Sequence, residues 1–112
     1  MAQWSRAILN GDLTFCDAVS SIEHEARILR AAGADIVVAL AHSGLGDENL
    51  RTPASGAENA AHAIAALPEV DVVVAGHTHE VHPNERDLDI RPPRAPIVQP
   101  GYWGSHLGCI DM

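Results

Sequence analysis

The sequence predicts an α/β layer fold, and three features carry that prediction. Two short apolar runs, Asp35-Ile-Val-Val-Ala-Leu-Ala41 and Asp71-Val-Val-Val-Ala75, are rich in β-branched residues and uninterrupted by polar ones. They read as strands buried on both faces, the kind that parallel sheets use. Each follows a stretch that reads as a helix, the first by the spacing of its apolar residues and the second by its alanines. The 112 residues are 46% hydrophobic and 20% charged, the balance of one globular domain with a single core.

The elements follow in order. Residues 5–14 form a turn-rich lead-in around Asn10-Gly11-Asp12. From about Asp17 to Ala32, Val19, Ile22, Ala26 and Leu29 mark one face of an amphipathic helix, with Glu23, Glu25, Arg27 and Arg30 off it; Gly33 is placed for a left-handed cap. After the first strand, residues 43–56 make a polar loop of a length usual for functional or mobile segments. Ser55 and Glu58 form a capping box that opens an Ala-rich helix from about Gly56 to Leu67, closed by Pro68. Beyond the second strand, residues 80–95 are polar and proline-rich. Pro96–Gln99 and Leu107–Asp111 then read as two more strands, paired as an antiparallel hairpin across Gly-Tyr-Trp-Gly-Ser. The expected order is α-β-α-β-β-β. With Trp4, Phe15, Tyr102 and Trp103 as the aromatic residues, the core is expected to be aliphatic, and Tyr102 and Trp103 to pack in it or at its rim. Cys16 and Cys109 have no metal-ligand spacing and read as buried thiols, with a disulfide tying the two ends as the alternative.

Charge narrows the partners. Asp and Glu number 15 against 7 Lys and Arg, a formal net charge of −8, and every basic residue is Arg. Without a basic run, this excludes a nucleic-acid polymer or an anionic membrane surface as partner. The longest apolar run, Ile36 to Ala41, is far short of the ~18–20 residues that span a bilayer. The start, Met-Ala-Gln-Trp-Ser-Arg, has no charged-then-apolar pattern, so no export signal is expected in this sequence.

One internal echo organises the histidines. Ala-Ala-Gly-Ala-Asp35 to Ala41-His42-Ser-Gly and Leu67-Pro-Glu-Val-Asp71 to Gly76-His77-Thr-His79 both run from a helix end through Asp and an apolar strand core to His. Parallel strands joined by a right-handed crossover end on the same sheet edge, where open α/β sheets bind their ligands. His42 and His77 are therefore expected at one crevice. His79, two residues on, can face the same point, and neutral imidazole is the commonest ligand for zinc-like cations. His42, His77 and His79 are thus the candidate metal ligands. His24 and His62 fall inside helices and read as surface or packing residues. His82 and His106 read as hydrogen-bonding residues or as groups facing substrate, and Asp47 and Glu48 as a solvated loop face.

Three segments in order, Gly33–Gly44 (GADIVVALAHSG), Glu69–Pro83 (EVDVVVAGHTHEVHP) and Pro96–Met112 (PIVQPGYWGSHLGCIDM), resemble the calcineurin-like metallophosphoesterases. Within that family they are most similar to the group of 2′,3′-cyclic-nucleotide 2′-phosphodiesterases/3′-nucleotidases and 5′-nucleotidases. The stretch before Ala41-His-Ser-Gly44 resembles the same group, so the similarity spans essentially the whole chain. The resemblance implies two divalent cations, Zn, Mn, Co or similar, that activate a water for in-line attack on a nucleotide or other small phosphoester. It assigns His42 and His77 to one cation and His79 to the other. The family's D-x-H, G-D-x-x-D and G-N-H-E motifs, which carry the remaining ligands and the general acid, do not occur here, so no catalytic acid is assigned. His106 is the substrate-side candidate. Residues 1–112 are accordingly expected to be the carboxyl-terminal portion of a metallophosphoesterase catalytic domain, inactive alone, from a periplasmic or exported parent. The alternative is a non-catalytic module that uses the three histidines to hold an ion and its exposed sheet edges to pair or self-associate.

Overall fold

The computed structural model describes residues 16–47, 57–84 and 94–112. Helix α1 spans Ala18–Ala31. Strand β1 is Val38–Leu40, helix α2 Ala61–Ala65, and β2 Val72–Val74, followed by β3 at Val81–His82 and β4 at Ile97–Pro100. The sheet order is β1-β2-β4-β3. β1 runs parallel to β2 and β2 parallel to β4, while β3 pairs antiparallel with β4. The fold is therefore α/β with a mixed four-stranded sheet, and the α-β-α-β-β-β order holds. The Asn10-Gly11-Asp12 turn, the Ser55 half of the capping box and most of the 43–56 and 80–95 segments lie outside the described residues.

Helix α1 is fixed at both ends by its own sequence. The Asp17 carboxylate caps the N-terminus, accepting from Ser20 N–H at 2.9 Å. At the other end Gly33, at φ +95°, lets its N–H reach the Arg30 carbonyl at 3.0 Å and that of Ala34 reach the Leu29 carbonyl at 3.0 Å. This pair of bonds is the Schellman arrangement, and only glycine adopts that backbone without strain. Ala26 is buried and Val19 and Ile22 pack against the core, but Leu29 remains half exposed.

Arg30 then ties the helix end to both strand entries. It pairs with the Asp71 carboxylate and donates to the carbonyls of Asp35 at 2.7 Å and Glu69 at 3.1 Å. Asp71 in turn accepts from Val37 N–H at 2.7 Å. The Val37 amide, and then the Arg30 guanidinium, hold the Asp71 carboxyl below its ordinary range.

The core is aliphatic, as expected. Ala26 of α1 and Ala61, Ile64 and Ala65 of α2 lie in one cluster with Val37, Ala39, Val73, Ala75 and Ile97. Ala39, Val73 and Ile97 are in register across three strands, so one sheet face carries both helices. The expectation that the first strand is buried on both faces needs correction. Ile36, Val38 and Leu40 point to the second face and stay open, Leu40 at 79% exposure. Only the β2–β4 side of that face is covered: Val72 and Val98 are buried. Gly108 lies so close to Val98 that a Cβ there would come within 2.6 Å of its side chain.

Two more expectations change. The expected second hairpin strand, Leu107–Asp111, is irregular; β3 occupies the edge of β4 instead, with Val81 opposite Pro100 and His82 opposite Gln99. Of that segment, Gly108 lies against the Val98 side chain. The second helix is shorter than expected: it spans Ala61–Ala65 with Ala60 at its N-cap and no side-chain cap, Glu58 stands before it rather than in a capping box, and its first amides are satisfied from elsewhere in the chain. Ala60 N–H donates to Ser43 Oγ at 2.8 Å, Ala61 N–H to the Gly44 carbonyl at 3.1 Å, and His62 N–H to the Leu45 carbonyl at 3.0 Å. Cys16 and Cys109 are free thiols at the surface and not in the core.

Candidate metal centre

His42 follows β1 and His77 follows β2, so two adjacent parallel strands deliver both imidazoles to the same sheet edge. Leu40 and Val74 are register partners, and Ala41 N–H donates to the Val74 carbonyl at 2.9 Å. The rings meet edge to face, with centroids 5.4 Å apart at 71°. Glu58, just before α2, places Oε1 3.7 Å from His77 Nε2.

The loop that carries His77 is held in an unusual backbone. His77 has φ +77° and Thr78 N–H donates to the Gly76 carbonyl at 3.0 Å, a γ-turn of the rare positive-φ hand. His79 is also left-handed, at φ +61°. Such conformations in residues with side chains are strained and collect at functional sites.

Two residues outside the predicted site hold this loop. Gln99 of β4 is fully buried. In the amide orientation that pairs donors with acceptors, its Oε1 accepts from Thr78 Oγ1 at 2.8 Å and from Glu80 N–H at 2.9 Å, and its Nε2 donates to the Gly76 carbonyl at 3.2 Å. Ser43 does the same from the β1 side. Its hydroxyl donates to the Glu58 carbonyl at 2.9 Å, and its own carbonyl accepts from Gly76 N–H at 3.1 Å. One residue thereby ties the segments of His42, Glu58 and His77 together. Both residues adjoin a histidine motif or its hairpin segment in the sequence, which is the signal that marks them.

Of the three predicted ligands the structure brings His42 and His77 together. The exposed His79 ring stacks on Tyr102, with centroids 5.1 Å apart at 24°. Among the described residues no group of three or more His, Cys, Asp or Glu side chains is gathered tightly enough to hold a metal ion. His106 is exposed and bonds through Nδ1 to Ser105 Oγ at 2.9 Å. His62 and His82 meet each other, with centroids 6.3 Å apart. Tyr102 and Trp103 are not core residues: both are exposed.

A family model described as bacterial capsule synthesis protein PGA_cap matches residues 5–97. The 2′,3′-cyclic-nucleotide 2′-phosphodiesterase/3′-nucleotidase of Salmonella typhimurium is 36% identical, over 97% of this chain and 18% of its own length. The protein of the same name from Haemophilus influenzae is 34% identical, over 97% and 17%. The crystal structure of the calcineurin-like phosphoesterase YfkN from Bacillus subtilis superposes with a TM-score of 0.78 at 28% identity, covering 92% of this chain and 33% of that one. The chain belongs to the PGA_cap family and, with these relatives, to the calcineurin-like phosphoesterases. It spans less than a fifth of the length of the curated relatives it matches. No helix among the described residues is long and apolar enough to cross a membrane.

Proposed function

We propose that these residues are the carboxyl-terminal portion of a metallophosphoesterase catalytic domain that hydrolyses nucleotide phosphoesters, 2′,3′-cyclic nucleotides or 3′- or 5′-nucleotides. His42 and His77 are the donors to one divalent cation and His79 contributes to a second. The observation that carries this reading is the edge-to-face contact of His42 and His77 at the ends of two adjacent parallel strands. Imidazole nitrogen, supplied at this rim by His42 and His77, is a donor type that zinc, manganese or cobalt takes. When bound, such a cation lowers the pKa of water and offsets charge on a phosphoryl group.

The chain's own contribution is positioning. Ser43 and Gln99 fix the two loops, and the positive-φ turn aims His77 at His42. His106 lies on the substrate side, next to the Gly101–Ser105 turn. With no general acid assigned, the isolated chain binds a cation weakly and does not turn over substrate appreciably. A periplasmic or exported setting accompanies this reading.

Calorimetric titration of the chain with Zn²⁺ or Mn²⁺ tests the proposal, alongside an assay with 2′,3′-cyclic AMP. Saturable binding that disappears in His77→Ala, without hydrolysis, is expected. Absence of saturable binding would defeat the metal assignment, and hydrolysis that His77→Ala abolishes would defeat the claim of inactivity.

A second reading, a chain-pairing module, is favoured by the open apolar row Ile36, Val38 and Leu40 on the edge strand. Concentration-dependent self-association would support it.

A further inference from the structure

Glu58 does not cap the helix it precedes: Ala60 is the N-cap of α2, and no side-chain bond caps that end. The residue is held instead against the end of β1. Its carbonyl accepts from Ser43 Oγ at 2.9 Å, and that hydroxyl oxygen in turn accepts from Ala60 N–H at 2.8 Å. The next residue, Asn59, forms a parallel bridge with Gly44. The approach is so close that a Cβ on Gly44 would come within 2.5 Å of both Asn59 Oδ1 and the Thr78 methyl group. The segments that carry His42, Glu58 and His77 therefore meet at a junction with no room for another side chain. From it the Glu58 carboxylate reaches the rim where the imidazoles meet, with Oε1 3.7 Å from His77 Nε2.

We propose that Glu58 is a positioning residue for the metal centre: its carboxylate faces the Nε2–H edge of His77 and leaves Nδ1 as the nitrogen offered to the cation. Neutral imidazole gives a metal one nitrogen, and the partner of the other nitrogen decides which. A carboxylate in that place fixes the tautomer and the ring plane and makes the ligating nitrogen more basic. At 3.7 Å the pair lies just beyond hydrogen-bond distance, and bonds of this kind commonly tighten only when the site is filled. Ser43 and Gln99 hold the backbone of the two loops, whereas Glu58 acts on the ring itself. This role rests on the metal reading above, and its test separates the two.

Zinc affinity is measured by competition with a chromophoric chelator for the parent chain, Glu58→Gln and Glu58→Ala, together with the urea midpoint of each. Nitrogen NMR shifts of the His77 ring in the zinc-loaded chain report which nitrogen holds the metal. Ligation through Nδ1 with the proton kept on Nε2 is expected. Glu58→Ala should weaken zinc binding by about 10–100-fold at an unchanged midpoint. Glu58→Gln keeps a carbonyl acceptor without the charge and should fall between the two. Zinc on Nε2 of His77, or an affinity that Glu58→Ala leaves unchanged, overturns this role and spares the metal reading. A urea midpoint that falls in step with affinity in both variants also overturns it, since the residue would then act through the fold. A parent chain that binds no zinc overturns the metal reading and this role with it.

Discussion

Gln99 is a polar side chain at zero exposure in the middle of a strand, and its amide reaches across to the loop of His77 and His79. Gln99→Leu keeps roughly the volume but leaves the Glu80 N–H without its partner and takes one of two donors from the Gly76 carbonyl. A lost buried bond of this kind costs about 1–3 kcal/mol, so the urea midpoint should fall by a corresponding amount. Cation affinity should fall with it, because the loop loses its anchor. A midpoint equal to the parent's would show that the amide does not hold the loop. His77 makes the opposite case. Its positive φ suits glycine, so His77→Gly should keep or raise stability, by up to about 1 kcal/mol, while removing a metal donor. At this scale the sequence displayed the histidines, through a repeated strand-then-His pattern, but not their geometry. His79 turns to Tyr102 because a left-handed residue sends its side chain where alternation along an extended strand would not.

The elements were legible where the chain carries its own start and stop signals. Helix α1 has an Asp17 cap, a periodic face and a Gly33 stop, and it forms within a residue of the expected limits. Gly33→Ala, forced into φ +95°, should cost about 1–2 kcal/mol in thermal or urea unfolding. An unchanged midpoint would mean that the helix end is not held by this cap. Where termination depends on distant partners, the sequence was less informative. The start of α2 is satisfied by Ser43, Gly44 and Leu45 from the end of β1, and the partner of β4 proved to be the two-residue β3, too short to leave a pattern. The link between α1, β1 and β2 is electrostatic and should respond to acid. Because the folded Asp71 carboxyl titrates below its ordinary value of about 4, the stability it contributes is full above that value. It is lost as pH falls through the lowered folded value. Asp71→Asn should flatten that part of the acid unfolding curve. A curve unchanged by the substitution would place the acid sensitivity elsewhere.

At the scale of the molecule, one sheet face carries two helices and the other is only partly covered. Ile, Val and Leu in an unbroken run look the same to the reader of a sequence whether one face or both are buried, which is why the open row at Ile36, Val38 and Leu40 went unforeseen. If that row drives association, Leu40→Lys should shift sedimentation equilibrium toward monomer without lowering the melting temperature, since its side chain contributes little to the core. No shift would mean that the row is not a contact between copies. The same sheet sets the site, because the parallel pairing of β1 with β2 brings His42 and His77 to one rim from distant parts of the chain. The most direct measurement is a double-mutant cycle on zinc affinity, read by competition with a chromophoric chelator, for His42→Ala, His77→Ala and the pair. If both rings hold one ion, each single substitution should abolish most of the affinity and the second should add little. Independent, additive losses, or a single substitution without effect, would contradict a shared cation and with it the account of this edge as a metal centre.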